Sequence, residues 1–426
     1  MASGPLNGVR ILEFSQIVSL PFGGAVLSDL GAEVIKVEPL SGDPHRNLGA
    51  VVPNESKRFQ SLNRGKRSLA VDLRTEAGRD AIYRLLPGVD VVTCNYRFGV
   101  AERLGIDYET LKAHRPSLIY CEVTGFGNDG PMRDRGGTDI VANAYSGLMA
   151  GDRKINEDGL PANITAISLA DYVCGFSVAV GICSALYHRE LTGEGQKIDS
   201  SLLASALAVQ DTQVMRDPVH DAVLRDPMMA SVDEARARNV GYAELLDVYR
   251  GRRGAPRSAF FAFYRSYQAK DGVVVLGALT PAGRVAARKV LGITDDQSDQ
   301  PGFDARDPAN VESADRLITT VEELLRTRTV AQWVRDFGDA GVPVSPLNLP
   351  EDMADDPQVQ AMGMMAEIEH ATGTQRVPGP VVRMSATPTA VQGASPALGA
   401  DTDLVLRYAG FSDEELAALH DDGVIA

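Results

Sequence analysis

VRILEFSQIVSLPFGGAVLSDLGAEVIKVE, Val9 to Glu38, decides the fold. Val9–Ser15 and Glu33–Glu38 are short, apolar and rich in β-branched residues, which marks strands. Between them Phe22–Leu30, with Gly23 and Gly24, has the length and composition of a short helix, so the chain opens with a β-α-β unit. The pattern continues with strand Leu69–Leu73, helix Glu76–Leu86, strand Val89–Asn95, helix Tyr108–His114 and strand Leu118–Val123. Strands alternating with helices of about ten residues predict an α/β fold with a parallel sheet covered on both faces.

Ligands of such sheets bind beyond the strand C-termini. The loops there are Gln16–Pro21 (QIVSLP), Pro39–Asp43, Arg74–Thr75, Asn95–Gly99 (NYRFG) and Thr124–Gly130 (TGFGNDG). None is a G-x-G-x-x-G fingerprint, and no G-x-x-x-x-G-K-[ST] loop occurs, so NAD and ATP chemistry have no positive signal. Arg74, Arg97 and Arg103, close to the basic run Asn63–Ser68 (NRGKRS), suit phosphate groups instead.

The chain has 426 residues, too many for one compact core, so two domains are expected. Its net charge of −15 argues against a nucleic-acid surface. That charge is uneven: Lys57 to Arg103 holds ten Lys or Arg against five Asp or Glu, which is either a solvated face or the site of an anionic ligand. No window approaches the roughly 18 consecutive apolar residues of a membrane span. The start, MASGPLNGVRILEFS, lacks a signal-peptide layout, and the expectation is a cytoplasmic protein. Cys94, Cys121, Cys174 and Cys183 sit in apolar runs without a C-x-x-C pair, and six scattered histidines show no ligand spacing. Neither a disulfide nor a metal site is expected.

A second stretch, NITAISLADYVCGFSVAVGICSALYHRELTGEGQKIDSSLL (Asn163–Leu203), carries the candidate chemistry. Tyr172 to Tyr187 holds no charge, which suits a helix buried on most sides. Asp171 stands alone at its mouth. Ser168 and Asp171 have the S-x-x-D spacing of a capping box, and capping alone accounts for an acid there. A nucleophilic role is compatible, because free N–H groups at a helix start favour the ionised carboxylate that a nucleophile needs.

From Asp211 to Pro256 the sequence loosens into polar helical pieces with several prolines and the run RGRRGAPR, the composition of a connection. A smaller unit follows, with strands Phe260–Gln268 and Gly272–Leu276 and helices near Gly283–Leu291, Ser313–Arg326 and Val330–Phe337. The single tryptophan, Trp333, is expected in its core. Pro343–Pro350 reads as a linker, and Ala397–Ala426 ends in a short acidic helix.

Several blocks in order resemble the family III CoA-transferases, which include carnitine CoA-transferase-like, formyl-CoA transferase and α-methylacyl-CoA racemase branches. They are GVRILEFSQIVSLPFGGAVLSDLGAEVIKVEPLSGDPHR, SLNRGKRSLAVDL, GVAERLGIDYETLKAHRPSLIYCEVTGFGNDGP, AYSGLMA, LADYVCGFSVAVGICSALYHRELTGEGQKID and DDPQVQAMGM. The resemblance implies a Rossmann-like large domain over 1–210, completed by 385–426. It further implies a linker over 211–256, a small α+β domain over 257–342, a return linker over 343–384 and two chains interlocked as rings. Asp171, in the LAD block, would be the catalytic acid. CoA contacts would come from Val18, Ser19, Val71, Asp72, Leu73, Arg74, Asn95, Tyr96, Arg97, Arg103 and the Asp139 region. The partners implied are an acyl-CoA donor, a carboxylic acid acceptor and a second copy of the chain, with coenzyme A as part of the substrate and no tightly bound cofactor. Gly136, Gly137 or the loop Gly277–Gly283 would stabilise the thioester oxyanion.

Three departures from the family pattern narrow the reading. The formyl-CoA:oxalate branch has a glutamine in the first loop and a run of glycines in the small domain; here stand Val18 and only Gly277-Ala278, which argues against an oxalate enzyme. The racemase branch places a histidine before the aspartate of GGTDI, and Thr138 stands here instead, so two-base proton transfer lacks a partner. Asp401 replaces the histidine of the C-terminal G-x-H-T block. The expected activity is CoA transfer between acids, with a racemase-like enzyme or a non-catalytic acyl-CoA-binding homologue as alternatives.

Overall fold

The computed structural model describes residues 4–164, 167–253, 259–300, 302–304 and 307–426. Two compact units emerge, one of Met1–Arg216 with Pro357–Ala426 and the other of Asp217–Asp356. Residues 165–166 of the second stretch and 254–256 of the expected connection lie outside the described residues.

In the first unit the strands are β1 (Arg10–Phe14), β2 (Glu33–Glu38), β3 (Arg67–Ala70), β4 (Val91–Cys94), β5 (Ile119–Thr124) and β6 (Lys197–Ser201). They form one sheet in the order β3-β2-β1-β4-β5-β6, with every pair parallel. Alternation along β1 shows why both faces are covered. Leu12 and Phe14 enter a core with Ala81, Ile82 and Leu85 of α3 (Glu76–Leu85) and with Val405 and Leu406 from the tail. Ile11 enters the opposite core, with Leu20 and Leu27 of α1 (Ser19–Asp29) and Cys174, Val178 and Ile182 of α8 (Leu169–Thr192).

Between these elements lie α2 (Lys57–Asn63), α4 (Val100–Leu104), α5 (Tyr108–His114), α6 (Asp139–Tyr145) and α7 (Leu148–Asp152), and α9 (Leu202–Ala208) follows β6. The pairing of α1 with α8 positions the site. A Cβ on Gly175 would lie 2.7 Å from the Ser19 carbonyl oxygen, and one on Gly23 would lie 3.0 Å from the Gly175 carbonyl oxygen. Only two facing glycines let these backbones come so close, and that brings the start of α1 beside the start of α8.

Helix α8 differs from the expectation of burial on most sides. Among the described residues it is the one helix long and apolar enough to span a membrane by length and composition, yet it packs one face on α1 and the sheet. Its other face leaves Val180, Tyr187 and Leu191 about two-thirds exposed, at 67%, 69% and 68%. An uncharged sequence hides which face is buried.

The second unit corrects two expectations. The stretch 211–256 is not a plain connection: it holds α10 (Pro218–His220), α11 (Asp226–Ala237) and α12 (Tyr242–Arg253). Met228, Val232 and Ala235, spaced along one face of α11, are buried, as is Leu246 of α12. Pro218 and Pro227 stand in the first turns of α10 and α11, where proline costs no hydrogen bond, so they start helices instead of breaking them. The stretch 343–384 likewise begins with a strand: β9 (Val344–Pro346) joins β7 (Tyr264–Gln268) and β8 (Val273–Gly277) in an antiparallel sheet. Its prolines fit because β9 is an edge strand with one row of backbone groups unpaired. Helices α13 (Pro281–Leu291), α14 (Pro308–Leu325) and α15 (Val330–Asp339) cover this sheet, with Trp333 buried and its indole N–H donating to the Leu325 carbonyl at 2.7 Å.

The chain then returns to the first unit through α16 (Pro357–Ala361) and the hairpin β10 (Met365–Ile368) with β11 (Gln375–Pro378). The tail helices α17 (Thr402–Tyr408) and α18 (Asp413–Asp421) pack on the large sheet beside β3. Asp401 has a structural task here: its carboxylate accepts from the Ser68 N–H and the Arg67 guanidinium, both at 3.0 Å, and so ties the tail to the N-terminal end of β3.

Candidate active site

The strand order reverses between β1 and β4, and this switch point is where a doubly wound sheet opens a crevice. Asn95, at the end of β4, clamps the loop after β1: its Oδ1 accepts from the Gln16 N–H at 3.0 Å and its Nδ2 donates to the Gln16 carbonyl at 2.8 Å. The next residue, Ile17, is held at φ +73°, a left-handed conformation that a β-branched side chain rarely adopts. Val18 and Ser19 follow at the start of α1, both buried. Asn95 therefore acts on the loop, and the Val18 side chain belongs to the core.

Asp171 sits in the first turn of α8, only 8% exposed. The expected capping box is not formed: Ser168 makes no side-chain cap bond, and its hydroxyl instead accepts from the Arg58 guanidinium at 2.8 Å. The Asp171 N–H donates to Asp139 Oδ1 at 3.2 Å, and Asn143 Nδ2 holds the other Asp139 oxygen at 2.8 Å. Asp139, from α6, thus replaces Ser168 as the cap. This overturns the expectation that capping keeps Asp171 charged. Burial, reinforced by the Asp139 carboxylate, pushes the Asp171 carboxyl up to about 7, against the pull of Arg58 and of the Ser19 hydroxyl and N–H. Asp139 is raised as well, chiefly by burial.

A cavity of about 570 Å³ opens at the C-terminal ends of β1 to β4. It gathers Val71, Asp72, Leu73, Arg74 and Tyr96, five of the residues singled out in the sequence. The Arg74 guanidinium is exposed and forked onto Asp72, at 2.8 and 2.7 Å, and that pairing holds the Asp72 carboxyl below its usual range. Val18, Ser19, Asn95, Arg97, Arg103 and Asp139 do not line this cavity. Arg97 lies exposed against Gly136, where a Cβ would meet its guanidinium at 3.4 Å. Arg103 lies on the exposed side of α4. Gly125 and Gly137 press backbone against backbone, since a Cβ on either would fall within 2.5 Å of the other's Cα.

Below the cavity lies a buried ionic network that the sequence did not announce. Glu13 takes Lys66 Nζ at 2.9 and 3.0 Å; Lys36 Nζ reaches Asp43 at 3.0 Å and the Ser15 carbonyl at 2.9 Å; Glu38 takes Arg46 at 2.7 Å and the Ser68 hydroxyl at 2.8 Å. Lys36 and Arg46 have no exposed surface. Buried charges of this kind persist only when paired on all sides, and Glu38, Asp43 and Ser15 form part of the cavity wall. In the sequence these residues look like ordinary strand and loop polars. Arg58 is hidden in the same way, as one of ten cations between Lys57 and Arg103. Its place beside Ser168 is a contact across 110 positions.

The sequence model described as CoA-transferase family III matches residues 6–402. The human succinyl-CoA:glutarate CoA-transferase is 31% identical over 99% of this chain and 90% of its own length. The acetyl-CoA:oxalate CoA-transferase of Acetobacter aceti is 31% identical over 90% of each. Among solved structures, a CaiB/BaiF family protein from Brucella suis superposes with a TM-score of 0.74 at 28% identity, covering 96% of this chain and all of that one, 100%. A family match over nearly the whole length, on a six-stranded parallel α/β sheet, gives an enzyme that transfers CoA between acyl-CoA thioesters and carboxylic acids. The chain belongs to family III of the CoA-transferases.

Proposed function

We propose that Asp171 is the nucleophile of this CoA transfer and that the reaction passes through covalent aspartyl intermediates. A carboxylate oxygen of Asp171 attacks the thioester carbonyl of the donor, the C–S bond breaks, and CoA leaves as the thiolate from a mixed anhydride. The thiolate then attacks the aspartyl carbonyl and expels the donor acid, leaving CoA on Asp171. The acceptor carboxylate attacks that thioester in turn, and returning thiolate releases the new acyl-CoA and free Asp171. No electrons change hands, and every bond broken is matched by one formed.

The observation that carries this reading is the environment of Asp171: a carboxyl pushed up to about 7 by burial, facing the hydroxyl and N–H of Ser19. A poorly solvated carboxylate is more basic and a stronger nucleophile than one in water, yet it remains substantially ionised at neutral pH. The Rossmann-like first unit holds CoA in the crevice lined by Val71, Asp72, Leu73, Arg74 and Tyr96, with Arg97 and Arg103 outside it for the phosphates and Val18 and Ser19 nearer the thioester. Within the first unit Gly136 and Gly137 are the candidates for oxyanion donors. The exposed stripe of Val180, Tyr187 and Leu191 on α8 supports a homodimer, proposed as interlocked rings, because an apolar helix face of this kind calls for a partner. Thr138, without a histidine beside Asp139, disfavours the racemase reading.

The deciding experiment incubates the enzyme with acyl-CoA donors in the absence of acceptor, adds hydroxylamine, and maps the protein by mass spectrometry. The expected result is a hydroxamate at Asp171. Solvent deuterium exchange at the α-carbon of a 2-methylacyl-CoA, with no modification of Asp171, would establish the racemase chemistry instead.

The pH dependence gives a second test. Only ionised Asp171 attacks, so kcat/KM rises with pH along an acid limb whose midpoint lies near 7. Asp139→Asn removes the like charge but keeps an amide oxygen to accept the Asp171 N–H, so the midpoint moves to lower pH. Arg58 and Ser19, the other groups acting on Asp171, are unaltered in this variant. An unmoved midpoint rules out Asp139 as a tuning group.

A further inference from the structure

At the start of α8, the helix that carries Asp171, lies a second cavity, about 460 Å³, whose lining includes Lys57, Arg58, Ser61, Leu62, Ser168 and Tyr172. It shares no lining residue with the crevice at the strand ends. Two of its walls are cations: among the described residues neither Lys57 nor Arg58 has a carboxylate within ion-pair distance, and the one hydrogen bond of Arg58 goes to the Ser168 hydroxyl. A guanidinium has five N–H donors, so most of its capacity points elsewhere. Such a group is placed for a planar, bidentate anion. The charged groups around it are Asp171 and Asp139, which its field draws toward the ionised form, and His45, which it disfavours as the cation. Arg58 is thus within electrostatic reach of the nucleophile itself. The apolar walls, Leu62, Ile164, Ile167 and the Tyr172 ring packed on Phe22 at 4.7 Å, suit a short methylene chain.

We propose that Arg58 is a specificity-determining residue that binds the distal carboxylate of a dicarboxylic acid while the proximal carboxyl group meets Asp171. This rests on the assignment of Asp171 as the nucleophile for its catalytic consequence, but not for the binding it describes. The geometry gives one end of the substrate to the helix start and the other to the guanidinium. A monocarboxylic acid of equal length leaves Arg58 unpaired and gains nothing from it. Lys57 adds to the positive potential of the cavity without the bidentate geometry.

The test compares the full-length wild type with Arg58→Gln and Arg58→Lys. Work at pH 8, above the Asp171 value of about 7, favours its ionised carboxylate in the wild type. Calorimetric titration with succinate and with butyrate reads binding directly, and acceptor kinetics with the same two acids read KM and kcat. The wild type is expected to bind succinate at least about tenfold more tightly than butyrate, and Arg58→Gln to lose that preference. The KM for succinate should rise at least about tenfold relative to that for butyrate, and any change in kcat that follows from losing the field of Arg58 on Asp171 should be shared by the two acids. Arg58→Lys should recover part of the preference, since it keeps the charge and loses the fork. Equal binding of the two acids by the wild type, or a preference that survives Arg58→Gln, overturns the proposal. A uniform loss of activity toward both acids also overturns it, because Arg58 would then act on Asp171 alone. If no acid accepts CoA and Asp171 forms no adduct, the nucleophile assignment falls. Arg58-dependent succinate binding in that same case upholds the subsite.

Discussion

Asp171→Asn is expected to lower CoA transfer by roughly 10⁴-fold or more, the scale seen when a covalent nucleophile is removed. The fold should remain. An amide cannot form the anhydride, but it fills the same space, and the Asp171 N–H keeps its bond to Asp139 because that bond uses the backbone. Stability provides a second readout with a definite sign. The folded-state carboxyl is raised from an ordinary value near 3.8 to about 7, so the folded protein favours the protonated form. Stability from this group is therefore fully present below the unfolded value and declines as pH rises through 7. The asparagine variant escapes that decline, so it should melt no lower than the wild type at pH 8, with the difference shrinking toward pH 5. Paired melting and turnover measurements check both statements. Turnover within tenfold of the wild type would remove Asp171 from the chemistry, and a variant that unfolds at pH 8 would return the residue to a purely structural role.

Lys36→Met should be the most damaging change away from Asp171. Lys36 has no exposed surface and touches Asp43 at 3.0 Å and Glu13 at 3.7 Å. Burial alone would lower its pKa, but the carboxylates of Asp43, Glu13 and Glu38 outweigh that and raise it. Removing the cation strands Asp43 and part of the charge of Glu13 in a dry core, at a cost of about 3–5 kcal/mol. In the wild type the Asp43 carboxyl is held below its usual value against its own burial, by Lys36 first. Without Lys36 burial prevails and the Asp43 carboxyl rises, so the variant's deficit should be smaller at pH 5, where protonation relieves it, than at pH 8. Denaturant unfolding at the two pH values measures this. A deficit independent of pH would mean that lost packing, and not stranded charge, is the cause. The change should also raise KM for the acyl-CoA, since Asp43 and Ser15 belong to the wall of the 570 Å³ cavity proposed to hold CoA.

The outline of the first unit was legible because its signals are local. A strand such as EVIKVE, Glu33–Glu38, is fixed by β-branched residues in a run bounded by turn formers, and the structure places β2 at those residues. The helix expected at Tyr108–His114 also matches, the one expected at Glu76–Leu86 ends a residue earlier at Leu85, and the Asp171 helix runs from Leu169 to Thr192, beyond the uncharged stretch Tyr172–Tyr187. The second unit was less legible. The prolines of Pro218 and Pro227 carry the same composition whether they open a helix or break one, and Val344–Pro346 is too short to show a period.

By itself the sequence determined the alternation of strand and helix, the parallel sheet that follows from it, the family, and the acid before the uncharged stretch Tyr172–Tyr187 of the long helix. Each rests on neighbours along the chain or on blocks that keep their order. Tertiary structure alone decided that Asp139 and not Ser168 caps that helix, that Asn95 holds the strained turn at Ile17, that Glu13, Lys36, Glu38 and Lys66 form one buried network, and that Arg58 stands at the second cavity. The reason is physical. A charged side chain has no meaning until its partners are known, and those partners come from segments tens to hundreds of residues apart. The close crossing of α1 and α8 at Gly23 and Gly175, which no periodicity announces, brings Ser19 to Asp171 and makes a first-turn acid a candidate nucleophile.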